Sequence, residues 1–596
     1  MAVQRVLLYL MRRDLRLCDN PIFHELHNLS KQSPAPFTHV LPVYIFPAQQ
    51  VEVSGFLADV KSKSPFPEAR SAVARFWRCG PHRARFLAES VWEMKQELEK
   101  MGSGLLIRVG LLGQVVQDVL DQFEREKGRA SVTAVWMTME EGVEEKREEG
   151  EVQSLLEGAG IDFKLWLDEK YFIDDRDIPF DMPSDLPDVF TSYRNLVEPL
   201  REAPRGTVPP PPSLPPMPSF VPVQPAPFAI PESYEALESG LMKPLIEQPL
   251  LSDPPSFPPG VKSAHPFHGG SREGLRRIQH LLKSGALTEY KATRNGLLGT
   301  DFSTKLSAWL ALGCITARQI HAQLVDFEEG RDDQYKGTEG YGKGENTGAA
   351  AVRFELLWRD YMRLCTRKFG PRLFRLQGLR DDTSYPWRTL SAGDGGSEVA
   401  EIVQRFLRGT TGTGLIDASQ RELFLTGYTS NRARQNVASY LAKHLGIDWR
   451  LGAEWYEANL ADYDVSNNWG NWQYVAGVGN DPRGEARVFN PVKQAFDYDP
   501  RGEYCKAWVE ELRVLDEPQE IFQAWKVSKQ RRAELRLEGL SMVEHPLIKI
   551  DFIVGSKGRA ARVREAEDEA TAALEQEEDS ADVERVTPGV EAQAAD

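Results

Sequence analysis

Residues 431–474, NRARQNVASYLAKHLGIDWRLGAEWYEANLADYDVSNNWGNWQY, decide how this chain is read. Asn431, Arg434, Gln435 and Ala438 fall at i, i+3, i+4 and i+7, so one helical face carries two amides and a guanidinium where an apolar stripe is usual. Asp464, Asn468, Asn471 and Trp472 repeat the pattern at i, i+4, i+7 and i+8. Faces of this kind suit a polar ligand. Trp449, Trp455, Trp469 and Trp472 are four of the 13 tryptophans in the chain, so the same segment also reads as an aromatic-rich helical core.

Upstream, helical periodicity runs back to about residue 261 and forward to about Asp516, with helices expected at 271–284, 304–312, 316–325, 349–368, 397–408, 418–426, 431–444 and 452–460. Two further polar constellations lie on it. Ser303, Thr304 and Ser307 sit where a loop enters a helix, and free N–H groups with hydroxyls there form an anion site to which Lys305, Tyr290 and Arg294 can add donors. A capping Ser explains Ser303 as well. Glu355, Trp358, Arg359 and Met362 form one stripe of the next long helix. A carboxylate, an indole and a guanidinium can stack a base and bond its edge, or they are an intrahelical ion pair beside a core Trp.

The first 200 residues have a different rhythm. Strand candidates at 5–10, 39–46, 105–110, 132–137 and 163–167 alternate with helices at 83–101, 112–126 and 144–157, and Asp19, Asn20 and Pro21 mark one more helix start. This alternation gives a parallel, doubly wound five-stranded sheet, an α/β domain over 1–200. No GxGxxG follows the first strand, so the ordinary dinucleotide fingerprint is missing. Residues 201–260 are saturated with proline and read as a surface connection without regular helix, leading to an all-α domain over 261–516. The glycine-rich, charged stretch 328–348 reads as a mobile insertion. A C-terminal extension, 517–596, turns acidic and alanine-rich, and disorder is expected from about 555.

Composition sets bounds. At 596 residues with 41% hydrophobic and 27% charged side chains, the chain can bury large cores. Apolar runs are too short to span a bilayer and no secretory leader is visible, so a soluble intracellular monomer is expected, in cytoplasm or nucleus, with an organelle left open. Five scattered cysteines suggest neither a disulfide framework nor a metal site. The net charge of -16 speaks against a nucleic-acid partner, but 12 acids against 5 bases from Gly555 onward carry about -7 of it, which leaves room for a local basic groove.

RRDLRLCDNP (12–21), GPHRARFLAESV (80–91), YKATRNGLLGTDFSTKLSAWLALGC (290–314), ELLWRDY (355–361), DASQRELFLTGYTSNRARQNVAS (417–439) and NNWGNWQYVAGVGNDPRGEARVFNP (467–491) together resemble the photolyase/cryptochrome family, and most of all its cryptochrome-DASH branch. The resemblance implies an α/β antenna domain joined to an all-helical domain that holds FAD. It places pyrophosphate on Ser303, Thr304, Lys305, Leu306 and Ser307 with Tyr290 and Arg294 nearby, and the flavin against Arg359, Arg434, Asp462, Asp464 and Asn468, with Asp464 ionised beside Arg434 and Asn468 facing N5. It implies contacts to a pyrimidine dimer from Glu355, Trp358, Asn431, Arg432, Gln435 and Tyr474, the Gln and Tyr being choices of the DASH branch. It implies electron relay through Trp472, Trp449 and Trp387, and a methenyltetrahydrofolate antenna with Glu140 as ligand. The activity implied is light-driven splitting of cyclobutane dimers, chiefly in single-stranded DNA and by extension RNA; blue-light signalling is the alternative. Ala308 and Met11 depart from the family's usual Pro and aromatic residue.

Overall fold

In the computed structural model, which describes residues 3–59, 61–126, 128–168, 170–390, 398–484 and 487–552, five strands form one wholly parallel sheet. They are β1 (Gln4–Met11), β2 (His39–Pro47), β3 (Leu106–Gly110), β4 (Ala130–Thr138) and β5 (Asp162–Trp166), in the order β3-β2-β1-β4-β5. β1 is central and covered on both faces, which is why RVLLYL is continuously apolar. Pro42 is tolerated in β2 because its register with β3 starts only at Val43, and on the same edge Val40 N–H already leaves the sheet for Pro216 O at 3.1 Å.

The crossovers are α1 (Pro21–Ser30), α2 (Pro81–Lys100), α3 (Leu112–Arg125) and α4 (Val143–Ala159). Asn20 starts α1 as the spacing predicts: its Oδ1 accepts from Ile22 N and Phe23 N at 3.0 and 3.1 Å, and Pro21 takes the first helical position.

α5 (Phe190–Val197) and α6 (Tyr234–Glu247) were not expected. α6 corrects the reading of 201–260 as free of regular helix: between Ser233, which caps it, and Gln248 there is a single proline, Pro244. It docks where Gly55 faces Gly240 so closely that a Cβ on Gly55 would stand 1.8 Å from Gly240 O.

The helical domain comprises α7 (Ser271–Lys283), α8 (Tyr290–Thr293), α9 (Ser307–Ala311), α10 (Ala317–Glu328), α11 (Thr347–Phe369), α12 (Glu398–Arg408), α13 (Gly414–Thr426), α14 (Asn431–Ser439), α15 (Trp449–Asn459) and α16 (Val465–Ala476), with shorter helices to Glu544. The expected helix 431–444 is α only to Ser439, and Tyr440–His444 form a π turn. Two boundaries move. The stretch 328–348 is tied down rather than loose: Tyr335 is buried, Gly342 N–H and Gly344 N–H bond Phe327 O and Glu328 O, and Glu345 pairs with Arg353 at 2.5 Å. The helical core also runs past 516, since Ile521, Phe522, Leu537 and Val543 belong to it. The disorder expected from about 555 falls outside the described residues.

Candidate functional site

The loop from Thr300 to Ser307 is organised from below by Arg277 of α7, which is 4% exposed. Its guanidinium donates to Thr304 O (3.0 Å), Thr300 O (2.9 Å) and Ser303 O (3.2 Å) and pairs with Asp301 at 2.7 Å. With its carbonyls drawn inward and Lys305 in the left-handed region at φ 53°, the loop turns its amides the other way. Among the described residues, none of the N–H groups from Ser303 to Ser307 finds an acceptor. That is an anion cradle; α9 is too short to add much dipole. Lys305 does not reach it: its Nζ donates to Thr300 O at 2.8 Å over the Phe302 ring, and burial pushes the ammonium down to about 7. The expectation that its ammonium adds a donor is corrected.

Ser307 is exposed although Ala308 and Trp309 beside it are fully buried, so its side chain is open to a ligand. Its hydroxyl donates to Asp462 Oδ2 at 2.7 Å, and Arg434 of α14 pairs with the same carboxylate at 2.9 Å while its Nε holds Thr429 O. Asp464 is not the partner of Arg434. It caps α16, accepting Asn467 N–H at 2.8 Å, because it stands directly before the helix whereas Asp462 lies in the turn that faces α14. Asn468 donates its amide to Ala453 O at 2.9 Å, which leaves its Oδ1 as the atom turned elsewhere.

The α11 stripe reaches the same place. Arg294 pairs with Glu355 at 2.7 Å, and Trp358 Nε1 donates to Asn471 Oδ1 at 3.3 Å, less than one turn along α16 from Asn468. The Trp358 ring meets Phe190 of α5 at 4.8 Å and Tyr474 at 5.5 Å, and Arg487 donates to the Tyr474 hydroxyl at 3.2 Å. Arg432 is held by Asn295 Oδ1 at 2.6 Å and Gln435 Oε1 at 3.0 Å, and Asn431 is exposed beside it. Arg359 gives Nη2 to Leu310 O while Nη1 is buried without a partner among the described residues. Ser303 lies 3.3 Å from the Tyr428 hydroxyl, and Tyr290 is buried behind the Arg294–Glu355 pair, its hydroxyl pushed up by burial and the nearby carboxylate. Among the described residues no group of His, Cys, Asp and Glu is placed to hold a metal.

Residues 7–216 match the DNA photolyase family model, and 352–551 match that for the FAD binding domain of DNA photolyase. A protein named putative cryptochrome DASH, mitochondrial, from Neurospora crassa is 52% identical over 583 residues, 95% of this chain and 77% of that protein. The chain belongs to the photolyase/cryptochrome family, in its cryptochrome DASH branch. Cryptochrome DASH of Xenopus laevis is 38% identical over 86% of this chain and 84% of its own length. Among solved structures, the cryptochrome of Synechocystis sp. PCC6803 superposes with a TM-score of 0.72 at 32% identity, over 95% of this chain and 99% of that one.

As a member of this family the chain carries an FAD-binding domain, and its residues fit the group: five unbonded N–H donors for the diphosphate, an orphaned guanidinium NH on Arg359, and an accessible Ser307–Asp462–Arg434 wall. The antenna position fits less well. Glu140 is buried with Oε1 2.5 Å from Lys170 and Oε2 3.7 Å from Arg13, cations that hold its carboxyl down at about 2 against the cost of burial. Its Oε1 is taken by Lys170, and its charge is already balanced by two cations.

Of the three tryptophans expected to relay electrons, Trp472 and Trp449 are buried and Trp387 is half-buried. Trp472 abuts Gly452, one turn after Trp449 on α15, and the bridge Arg388↔Ile447 sets the Trp387 segment beside the start of that helix. Sequence reasoning missed Arg277 and Asn295. The only sign of the first was an arginine on the buried side of α7.

Proposed function

We propose that this family member is a blue-light flavoprotein that splits cyclobutane pyrimidine dimers, preferentially in single-stranded DNA. The observation that carries the reading is the Trp358–Asn471 hydrogen bond, which joins the Glu355 stripe to the helix of Asn468, so that a flavin and a lesion would share one hollow. When bound, reduced FAD supplies the photochemistry: one electron goes to the dimer and one returns after the ring opens, with no net oxidation.

The residues do the remaining work. Glu355, kept close to Arg294, accepts a hydrogen bond from the thymine edge, and Trp358 and Tyr474 wall the pocket with aromatic faces. Asn431, Arg432 and Gln435 meet the strand. Asn468, its amide nitrogen held by Ala453 O, would offer its oxygen to the flavin, and Asp462 keeps Arg434 in place. Trp472, Trp449 and Trp387 carry electrons inward from the surface. A dimer must leave the base stack to enter, and in single strands that costs least; an RNA oligonucleotide meets the same condition.

The methenyltetrahydrofolate antenna rests on family resemblance alone, since Glu140 is engaged by its own cations. Among the described residues no helix is long and apolar enough to cross a membrane, and relatives from Neurospora crassa and Ostreococcus tauri carry organelle names, so we place the protein inside the cell and would look first in mitochondria.

The test is dimer splitting under blue light by the FAD-loaded protein, on matched single-stranded and duplex oligonucleotides. Faster splitting in single strands is expected, and Glu355→Ala should lower it by about a hundredfold with flavin retained. A protein that photoreduces FAD yet splits neither substrate would replace this reading with the signalling one.

A further inference from the structure

Arg432 and Arg434 stand two residues apart on α14 and are held in opposite ways. Arg434 is neutralised by Asp462 at 2.9 Å. Arg432 is held by two neutral amides: Nε donates to Asn295 Oδ1 at 2.6 Å and Nη1 to Gln435 Oε1 at 3.0 Å, with the Tyr498 ring 5.6 Å from its central carbon. Among the described residues none of its contacts is to a carboxylate. A guanidinium fixed by carbonyl oxygens keeps its full charge, and with two of its five N–H donors occupied, three remain, two of them on Nη2.

Asn295 also follows Arg294 directly in the chain, and Arg294 Nη1 holds Glu355 at 2.7 Å. Two consecutive residues after α8 thus set two groups of the proposed lesion face, a carboxylate on α11 and a guanidinium on α14. Were Asn295 an aspartate, its geometry would be nearly the same and the charge of Arg432 would be cancelled. The amide is therefore the informative choice at this position.

We infer that Asn295 is a positioning residue that orients Arg432 and leaves it uncompensated, so that it can take a backbone phosphate of the single strand beside the lesion. This rests on the reading given under Proposed function and adds to it the residue that tunes the charge of the strand-binding face.

The experiment measures binding of a fluorescein-labelled single-stranded oligothymidylate carrying one thymine dimer to the FAD-loaded full chain, between about 50 and about 200 mM salt. Asn295→Asp should weaken binding about tenfold at the lower salt and reduce the slope of log K against log salt by about 0.7, the loss of one phosphate contact on a single strand. Asn295→Ala, which frees Arg432 without neutralising it, should weaken binding only a few-fold and keep the parent slope. Adding Asn295→Asp to Arg432→Gln should cost nothing further, because the partner whose charge it cancels is gone. Flavin content at the parent level shows that each variant is folded. Asn295→Asp with parent affinity and parent slope would overturn the inference, as would equal losses in the presence and absence of Arg432. If the parent itself binds no single strand while retaining flavin, the functional reading falls and takes this one with it.

Discussion

The indole of Trp472 lies so close over Gly452 that a Cβ on that glycine would stand 2.1 Å from the ring. Trp472 is 3% exposed and cannot swing out, so Gly452→Ala must tilt or displace it, at a cost of about 1–3 kcal/mol for overpacking. If electrons reach the flavin through Trp472, the variant should photoreduce FAD at least tenfold more slowly with most flavin still bound. Trp472→Phe, which keeps the packing, should abolish photoreduction. Parent-like rates in both would remove this indole from the path.

Arg277 gives a prediction about the cradle that no residue touching the ligand is needed to test. Its guanidinium draws in the carbonyls of Thr300, Ser303 and Thr304, so Arg277→Met strips this donor from Ser303 O and Thr304 O and leaves Thr300 O with Lys305 and Asp301 with His280. A loss of about 2–4 kcal/mol in stability is expected, together with a weaker hold on FAD, measured as flavin content after gel filtration and as the dissociation constant on back-titration. Destabilisation with full flavin affinity would separate the arginine from the cradle.

Asp462 and Asp464 stand two residues apart and should behave differently. Asp462→Ala breaks the pair with Arg434 and removes the acceptor of Ser307, at a cost of about 2–4 kcal/mol, and should release flavin. Asp464→Asn keeps a capping side chain before α16 and should lose well under about 1 kcal/mol with flavin retained. Flavin release from the second variant and not the first would restore the expectation drawn from the sequence.

That pair shows where sequence reading stops. The five strands and most helices were legible because burial on two faces or one imposes a continuous or a periodic apolar pattern, and β1 and α1 follow it closely. The polar stripes on α11, α14 and α16 were legible for the same reason reversed. Which of two neighbouring carboxylates meets an arginine depends on where the helix begins, and a shift of two residues turns a ligand into a cap. Proline content announced a linker but hid α6, because a window average dilutes a stretch with one proline. Arg277 and Asn295 were invisible since their work depends on chain segments 23 or more residues away.

Two buried carboxyls inside the α/β domain, Glu148 and Glu140, titrate in opposite directions. Glu148 lies in the same cluster as Glu140, but its cation contact among the described residues is Arg12 at 3.8 Å, and burial together with Glu145 and Glu144 pushes its carboxyl up to about 7. Glu140, with Lys170 and Arg13, goes the other way, to about 2. A carboxyl raised in the folded state binds its proton more tightly there than in the unfolded chain. Its contribution is therefore complete below the ordinary value near ~4.3 and is lost as pH rises from there toward 7. Above 7 the folded protein carries the whole penalty, on the order of 3 kcal/mol. Glu140 has the opposite sign, and its loss begins only as pH falls below ~4.3, so it is constant between about pH 5 and 8. Glu148→Gln keeps an acceptor for Gln49, whose amide donates to Glu148 Oε1 at 2.6 Å, and never ionises. The variant should be more stable than the parent by about 3 kcal/mol at pH 8 and by only about 1 kcal/mol at pH 5, read as the gap between the two chemical-denaturation curves at each pH. Other buried acids titrate in this window, but they are shared by both proteins and cancel in the difference. A gap that stays the same from pH 5 to 8 would mean that Glu148 is ionised throughout this range and carries no burial penalty.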